Sequence, residues 1–449
     1  MTNPAPMSGA PARVLSLKDA IMLTVGIVIG AGIFKFPSTV AFMAGSEALV
    51  VAVWLAGGVI SMIGALCYAE LACAFPNAGG DYHFVARAYG KRLAFLFAWA
   101  RITVITTGSI ALLAFVFGDY CARILPLGAH GPTLYAVMIV VVLSAVNIAG
   151  TRESATTQNW LTSIEVLGLV IIVGAALFLP AAPLQAAAPT SAGPVNIGLA
   201  LILVLVTYGG WNEVAYVSSE VAGDKRSLAR ALVISIAVVT LLYLAVNLAY
   251  LHALGVGGMA KSNAVAADLL QLAFGEAGAK LMAAMVAVAA LTSINSTIIV
   301  GARSAYATGC DWPALGYLGQ WHAASDSPRR ALLFQAAIAI ALIGLGAATR
   351  KGFETMVDFT APVFWFFFLL VGISVFVLRR REAGAERPFR VPLYPLTPAL
   401  FCAACAYLLY SSVMYATGLE DVRVGAIAGV GLLAIGAIVM LTLKENKSG

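Results

Sequence analysis

Five ionisable residues fall inside long apolar runs of this 449-residue chain: Lys35, Arg101, Glu165, Glu213 and Asp358. A charge at the centre of a bilayer costs about 2.5–3.5 kcal/mol on insertion scales, so each is a candidate for function. A buried carboxyl can carry a proton or a cation, and an arginine at the same depth can neutralise it. Arg101 and Glu165 each sit about seven to ten residues past the start of helices that run in the same direction, which gives them similar depths. A structural ion pair between them is the first reading, and a proton- or cation-coupling role for Glu165 is the second. Lys35 has a stem long enough to snorkel outward, Asp358 lies near a helix end, and Glu213 either lines a pathway or faces another helix.

Other chemistries find little support. The four His and six Cys are scattered. Cys402 and Cys405 alone have metal-ligand spacing, on an apolar helix with no further ligand nearby, and read as small packing residues. The expectation is no metal, no disulfide framework and no cofactor. An enzyme would need a nucleophile and base or a metal cluster, and a phosphate-binding GxxxxGK[ST] loop is absent from the sequence.

Two glycine motifs carry more. The first apolar run holds Gly26, Gly30-Ala31-Gly32-Ile33-Phe34 and Pro37, and the sixth holds Tyr208-Gly209-Gly210-Trp211-Asn212. Each glycine in a helix interior costs about 1 kcal/mol relative to alanine, so paired glycines mark the weakest helix. Close helix packing through small residues explains any one such pair. Interruptions at corresponding places in two halves of a chain point instead to a midplane binding site. A break frees amides that hold a carboxylate and carbonyls that hold an ammonium, and an amino acid offers both groups.

These residues need spanning helices to position them. The chain is 61% hydrophobic and 11% charged, with a mean hydropathy of +0.93, which excludes a soluble domain. At about 20 residues per crossing, the apolar runs predict an all-α, polytopic membrane protein of about twelve helices. Residues 1–16 read as a cytoplasmic tail rather than a signal peptide, 17–180 as a first five-helix repeat, and 194–378 as a second. Residues 397–443 supply two more helices, and 444–449 a second cytoplasmic tail. With both termini inside, basic clusters such as Lys225-Arg226 and Arg379-Arg380-Arg381 fall on the cytoplasmic side, as the positive-inside rule asks. The net charge of +6 then reflects basic loops and not nucleic acid. Short loops exclude an ATP-hydrolysing domain, and a channel would want rings of charge or a repeated filter.

Further segments join the two glycine motifs: Gly64-Ala65-Leu66-Cys67-Tyr68-Ala69-Glu70-Leu71, Ala78-Gly79-Gly80-Asp81-Tyr82, Glu220, Asn295 with Arg303, and Arg387-Pro388-Phe389-Arg390-Val391-Pro392. In this order the chain resembles the amino acid-polyamine-organocation transporters, and within them the L-type amino-acid transporter branch. The resemblance implies the leucine-transporter type of fold, with two inverted five-helix repeats, two further helices and alternating access. It nominates Ile29, Gly30, Ala31, Gly32 and Ile33 for a substrate carboxylate, and Val206, Tyr208 and Gly209 for its amino group, with Asn212 just past the break and Tyr243 nearby. Ala31 stands where such proteins commonly carry a serine, and Val206 where the branch commonly has an aromatic gate.

Glu165 falls where such proteins typically carry a lysine, at a place that holds sodium in sodium-coupled members of the fold. An acid there suggests H+ or Na+ coupling, with Ser293 and Asn295 supplying oxygens. The expected function is transport of L-amino acids, neutral and small to medium, by exchange or cation symport across an inner membrane. The alternative is a carrier of cationic amino acids or polyamines, lined by Glu165, Glu213 and Asp358. The expected partners are the amino-acid substrate and membrane lipid, with no nucleic acid and no obligatory protein partner. Glu70 and Arg303 are expected to form salt bridges near the cytoplasmic face.

Overall fold

A computed structural model describes residues 14–128, 130–182, 197–224, 226–262, 264–349, 352–418 and 423–442. Among these residues the structure is helical, with no strand beyond two isolated bridges. The helices are α1 (Leu17–Val28), α2 (Gly32–Ala44), α3 (Glu47–Ala74), α4 (Asp81–Tyr89), α5 (Lys91–Ala100), α6 (Thr106–Ile124), α7 (Gly131–Ala149) and α8 (Thr151–Leu177). After these come α9 (Ile197–Thr207), α10 (Ser227–Lys261), α11 (Val265–Phe274), α12 (Glu276–Asp311), α13 (Arg329–Thr349), α14 (Gly352–Arg381), α15 (Leu396–Gly418) and α16 (Arg423–Thr442).

Nine segments of the described residues are long and apolar enough to cross a membrane. The half-helices α1 and α2 make one further crossing between them, and α13 and α16 have spanning length. The crossings therefore number about twelve, as the apolar runs predict. Between residues 75 and 90 the chain folds into α4, a helix too short and too polar to span. The helices α8 and α12 extend beyond their apolar runs, starting at Thr151 and ending at Asp311.

Helix α1 starts at a reciprocal cap, in which the Ser16 side chain accepts from the Asp19 amide and the Asp19 carboxylate accepts from the Ser16 amide. It then packs against α8, α10 and α12. At Gly26 the contact is so close that a Cβ would collide with Thr162, Gln158 and Thr292. Helix α1 is thereby packed closely against three helices up to its break.

On the face where α1 begins, several ion pairs tie elements together. Arg303 on α12 grips the buried Glu220 through two nitrogens, one of them at 2.6 Å. Arg379 bonds Glu70 at 2.7 and 2.5 Å, and the Val391 amide adds a third bond at 2.6 Å. Leu15 pairs with Glu220 and Ala222 through backbone bonds of 3.0 and 2.7 Å. These contacts place Glu70 and Arg303 in the salt bridges expected of them and close this face of the molecule.

Candidate functional site

Both glycine motifs break their helices. Helix α1 ends at Val28 and Ile29 takes an extended conformation, φ −74° and ψ 96°. Helix α2 restarts at Gly32 behind Ala31, which supplies no side-chain cap. A helix start leaves its first amides without intrahelical partners, and here nothing else among the described residues takes them. The amides of Gly30, Ala31, Gly32 and Ile33 make no hydrogen bond, while Ile29 and Phe34 on either side do, at 2.9 and 3.2 Å. The result is a run of donors at the positive end of a half-helix, suited to a carboxylate.

The second break supplies acceptors. Helix α9 ends at Thr207, and Trp211–Val217 continues as a 3-10 helix. The Val206 carbonyl accepts from the Gly209 amide at 3.1 Å, whereas no hydrogen bond reaches the carbonyls of Leu205, Tyr208 and Gly209 among the described residues. Gly210 has φ +107°, and a Cβ there would lie 3.0 Å from the Ile27 carbonyl oxygen. This position admits only glycine without strain. The two breaks therefore meet, backbone against backbone.

Tyr243 joins them. Its buried hydroxyl lies 2.9 Å from the Val28 carbonyl and 3.2 Å from the Thr207 carbonyl, the last residues of the two half-helices. With one proton it donates to one carbonyl at a time. Its ring packs edge-on against Trp54 and Tyr208, with centroids 5.6 and 4.9 Å apart. Sequence reasoning gave Tyr243 a weak place in the site, and its geometry is central. Val206, by contrast, has a side chain 47% exposed and a carbonyl already engaged. Asn212 is buried, donates to Glu213 at 3.1 Å and leaves its own oxygen without a partner.

The predicted pair of Arg101 with Glu165 is not formed. Arg101 instead pairs with Glu213 through both terminal nitrogens, and its guanidinium lies 3.9 Å from the centroid of the Tyr216 ring. The equal depths fail because α8 starts at Thr151, which puts Glu165 fourteen residues into its helix (165 − 151) against ten for Arg101 after Lys91 (101 − 91), and the local backbone turns Arg101 elsewhere. Arg101 begins a π-helical turn, Arg101–Ile105, between α5 and α6, and Glu213 lies on the 3-10 segment past the second break. Asp81, at the start of α4, faces the same cluster together with Tyr68 and Tyr216. Burial pushes the Asp81 carboxyl up to about 7 despite the nearby Arg101 guanidinium, with the Glu213 charge adding to the rise. The sequence offered no chemical signal for Asp81 beyond its place after Gly79-Gly80.

Glu165 is left alone. It is 3% exposed, and neither carboxyl oxygen makes a hydrogen bond. Thr292 stands beside it, but the Thr292 hydroxyl donates to the Val288 carbonyl at 2.9 Å. Ser293 faces the first break, its hydroxyl 3.5 Å from where a Cβ on Gly30 would lie, and it too lacks a partner. Asn295, expected to lend an oxygen near Glu165, points elsewhere. Its oxygen accepts from Asn147 and its nitrogen donates to Gln158, at 2.8 and 2.9 Å. Residues two apart on a helix face different ways, so Ser293 and Asn295 cannot serve one site. The side chains of Lys35 and Asp358 lie outside the described residues. Among those described, no three His, Cys, Asp or Glu side chains are placed to hold a metal.

Such an arrangement, with free donors and free acceptors at two helix breaks inside a many-helix apolar bundle, is that of a membrane transporter. The amino acid permease family model matches residues 15–435, and the chain belongs to that family. It is similar to the serine/threonine exchanger SteT of Bacillus subtilis (strain 168), with 26% identity over 406 residues, 89% of this chain and 91% of the other. The large neutral amino acids transporter small subunit 2 of Mus musculus is 29% identical over 413 residues, 89% of this chain and 76% of the other. The b(0,+)-type amino acid transporter 1 of the same species is 27% identical over 415 residues, covering 89% and 82%. Amino-acid transport is the activity these proteins have in common.

Proposed function

We propose that this chain is a secondary active transporter of neutral L-amino acids of small to medium size, working by alternating access. The observation that carries the reading is the run of unpaired amides at Gly30–Ile33 and the unpaired carbonyls of Tyr208 and Gly209, at two breaks that meet where Gly210 approaches Ile27. A zwitterion satisfies both sets, the carboxylate at the half-helix N-terminus and the ammonium at the carbonyls. A cationic side chain on the substrate would need an anion of its own, and Glu213, one acid expected to provide it, is neutralised by Arg101. We place the face carrying the start of α1 in the cytoplasm of an inner membrane, in keeping with the basic residues Arg87, Arg303 and Arg379 on that side.

Glu165 is the coupling group of this proposal. A buried carboxylate without a partner is expensive, so the site calls for a cation, a proton or a sodium ion. The chain acts alone in this reading, and purified protein in proteoliposomes tests it. Uptake of a labelled neutral amino acid should be competed by neutral L-amino acids and not by arginine or putrescine. Imposed H+ or Na+ gradients should drive it in the native chain and not in Glu165→Gln, which should retain exchange. Stronger competition by arginine than by any neutral amino acid refutes the substrate assignment, and full gradient drive in Glu165→Gln refutes the coupling role.

A further inference from the structure

The buried face of α8 changes character at Glu165. On the side toward its start it carries Thr151, Ser154, Gln158 and Thr162, and past Glu165 it carries Gly168, Leu169, Ile172, Ala175 and Ala176. The polar half is bonded into a continuous ladder. Ser154 donates to Asn147 at 2.6 Å, Asn147 to Asn295 at 2.8 Å, and Asn295 to Gln158 at 2.9 Å. Gln158 donates to the Thr162 hydroxyl at 3.2 Å, which donates in turn to the Met22 carbonyl at 3.0 Å. Glu165 follows one turn later with both oxygens free. The ladder thus ends at the Met22 carbonyl, one helical turn short of an unpartnered carboxyl.

Its other end opens at a cleft beside the start of α1, lined by Leu15, Asp19, Thr151, Ser154, Gln158 and Arg303 among others. Gln158, 1% exposed, borders this cleft and lies seven residues, or about 10 Å, short of Glu165 along the helix. A carboxamide is a poor relay, because passing a proton through it requires an unfavourable tautomer. Gln158 therefore acts as a plug that must swing aside to admit a file of water. The oxygens of Asn147, Asn295, Gln158 and Thr162 already accept hydrogen bonds, which suits the route to a proton better than to a metal cation needing several free ligands.

We propose that Glu165 exchanges a proton with the face carrying the start of α1 through this stripe, with Gln158 as its plug. The step is an acid–base exchange in which the carboxylic acid gives its proton to water of the file, leaving carboxylate and hydronium. From α10, Tyr243 is a titratable side chain that feels the Glu165 charge, and from α12 Thr292 is the polar neighbour. No cation or second carboxylate among the described residues acts on it. The inference rests on Glu165 being the coupling group.

The test uses the purified full chain in proteoliposomes loaded with a pH-sensitive dye. Gln158→Ala removes the plug and is expected to give proton leak without substrate, at least about tenfold above the native chain. Gln158→Leu keeps the bulk and removes the polarity, and is expected to slow amino-acid-driven proton flux about tenfold while amino-acid exchange continues. Native-like proton flux in both variants, with flux lost in Glu165→Gln, overturns the route and leaves the coupling role standing. Native flux in Glu165→Gln overturns the coupling role and the route with it. Thermal unfolding in detergent identifies a variant that fails to fold, and the other Gln158 variant then decides.

Discussion

Replacing Arg101 by methionine keeps the volume of the side chain and strips Glu213 of its counter-charge. The two side chains are 3% and 12% exposed, so Glu213 has little water to turn to. Breaking a buried pair from one side typically costs about 3–5 kcal/mol, because the remaining charge is uncompensated. The bond that Asn212 still donates to Glu213 puts the expected loss near the lower end, about 3 kcal/mol. In a chain of this length that corresponds to a fall of roughly 3 °C in the thermal unfolding midpoint in detergent. The second substitution Glu213→Gln removes the stranded charge, and Arg101→Met/Glu213→Gln should recover more than half of the loss. Arg101→Met/Glu165→Gln should recover none of it. If the Glu165 double variant recovers stability and the Glu213 double variant does not, the pairing described here is wrong and the pairing expected from helix depth is right.

Tyr243→Phe removes the hydroxyl that lies between the Val28 and Thr207 carbonyls; a buried carbonyl left unpaired costs about 1–3 kcal/mol, and KM for the amino acid should rise about tenfold or more in uptake assays with little change in expression. Gly210→Ala forces a side chain into a left-handed backbone conformation, at about 1–2 kcal/mol, and against the Ile27 oxygen, so transport should be lost while the protein still reaches the membrane. Asp81 titrates near 7 against an ordinary 3.8. A carboxyl raised in the folded state stabilises fully below its unfolded value, and that contribution is lost as pH climbs through the folded value. Unfolding midpoints of the native chain should therefore fall between about pH 4 and pH 7 through this group, and Asp81→Asn should flatten that part of the profile and be the more stable form at pH 8.

The two breaks were legible because glycine is costly in a helix interior and because the motifs stand in corresponding places of two apolar halves. Gly210 and Ile27 meet where those motifs predict a site. The donors follow from the helix start itself, and Ala31, which cannot cap α2, leaves the Ile33 amide free with them. The partner of Arg101 was not legible, since depth was counted from the apolar run while α8 starts earlier, at Thr151, and since Glu213 lies on a 3-10 segment past the second break that periodicity does not reveal. Helices α4 and α11 escaped because neither is long enough to register as a crossing. The ladder below Glu165 needed contacts between α7, α8 and α12; Asn147 looks in sequence like any polar residue in an apolar helix, and Asn295 stands out there only as an oxygen for Glu165, which it does not supply.

The central claim is that backbone groups at two helix breaks bind the two charges of an amino acid. It is tested most directly by competition against uptake with analogues of one neutral substrate that lack either charge in turn, the N-acetyl derivative and the carboxamide. Loss of one charge leaves one set of backbone groups unpaired, so both analogues should compete at least about a hundredfold more weakly than the parent amino acid. Competition by either analogue as strong as that of the parent would contradict the account.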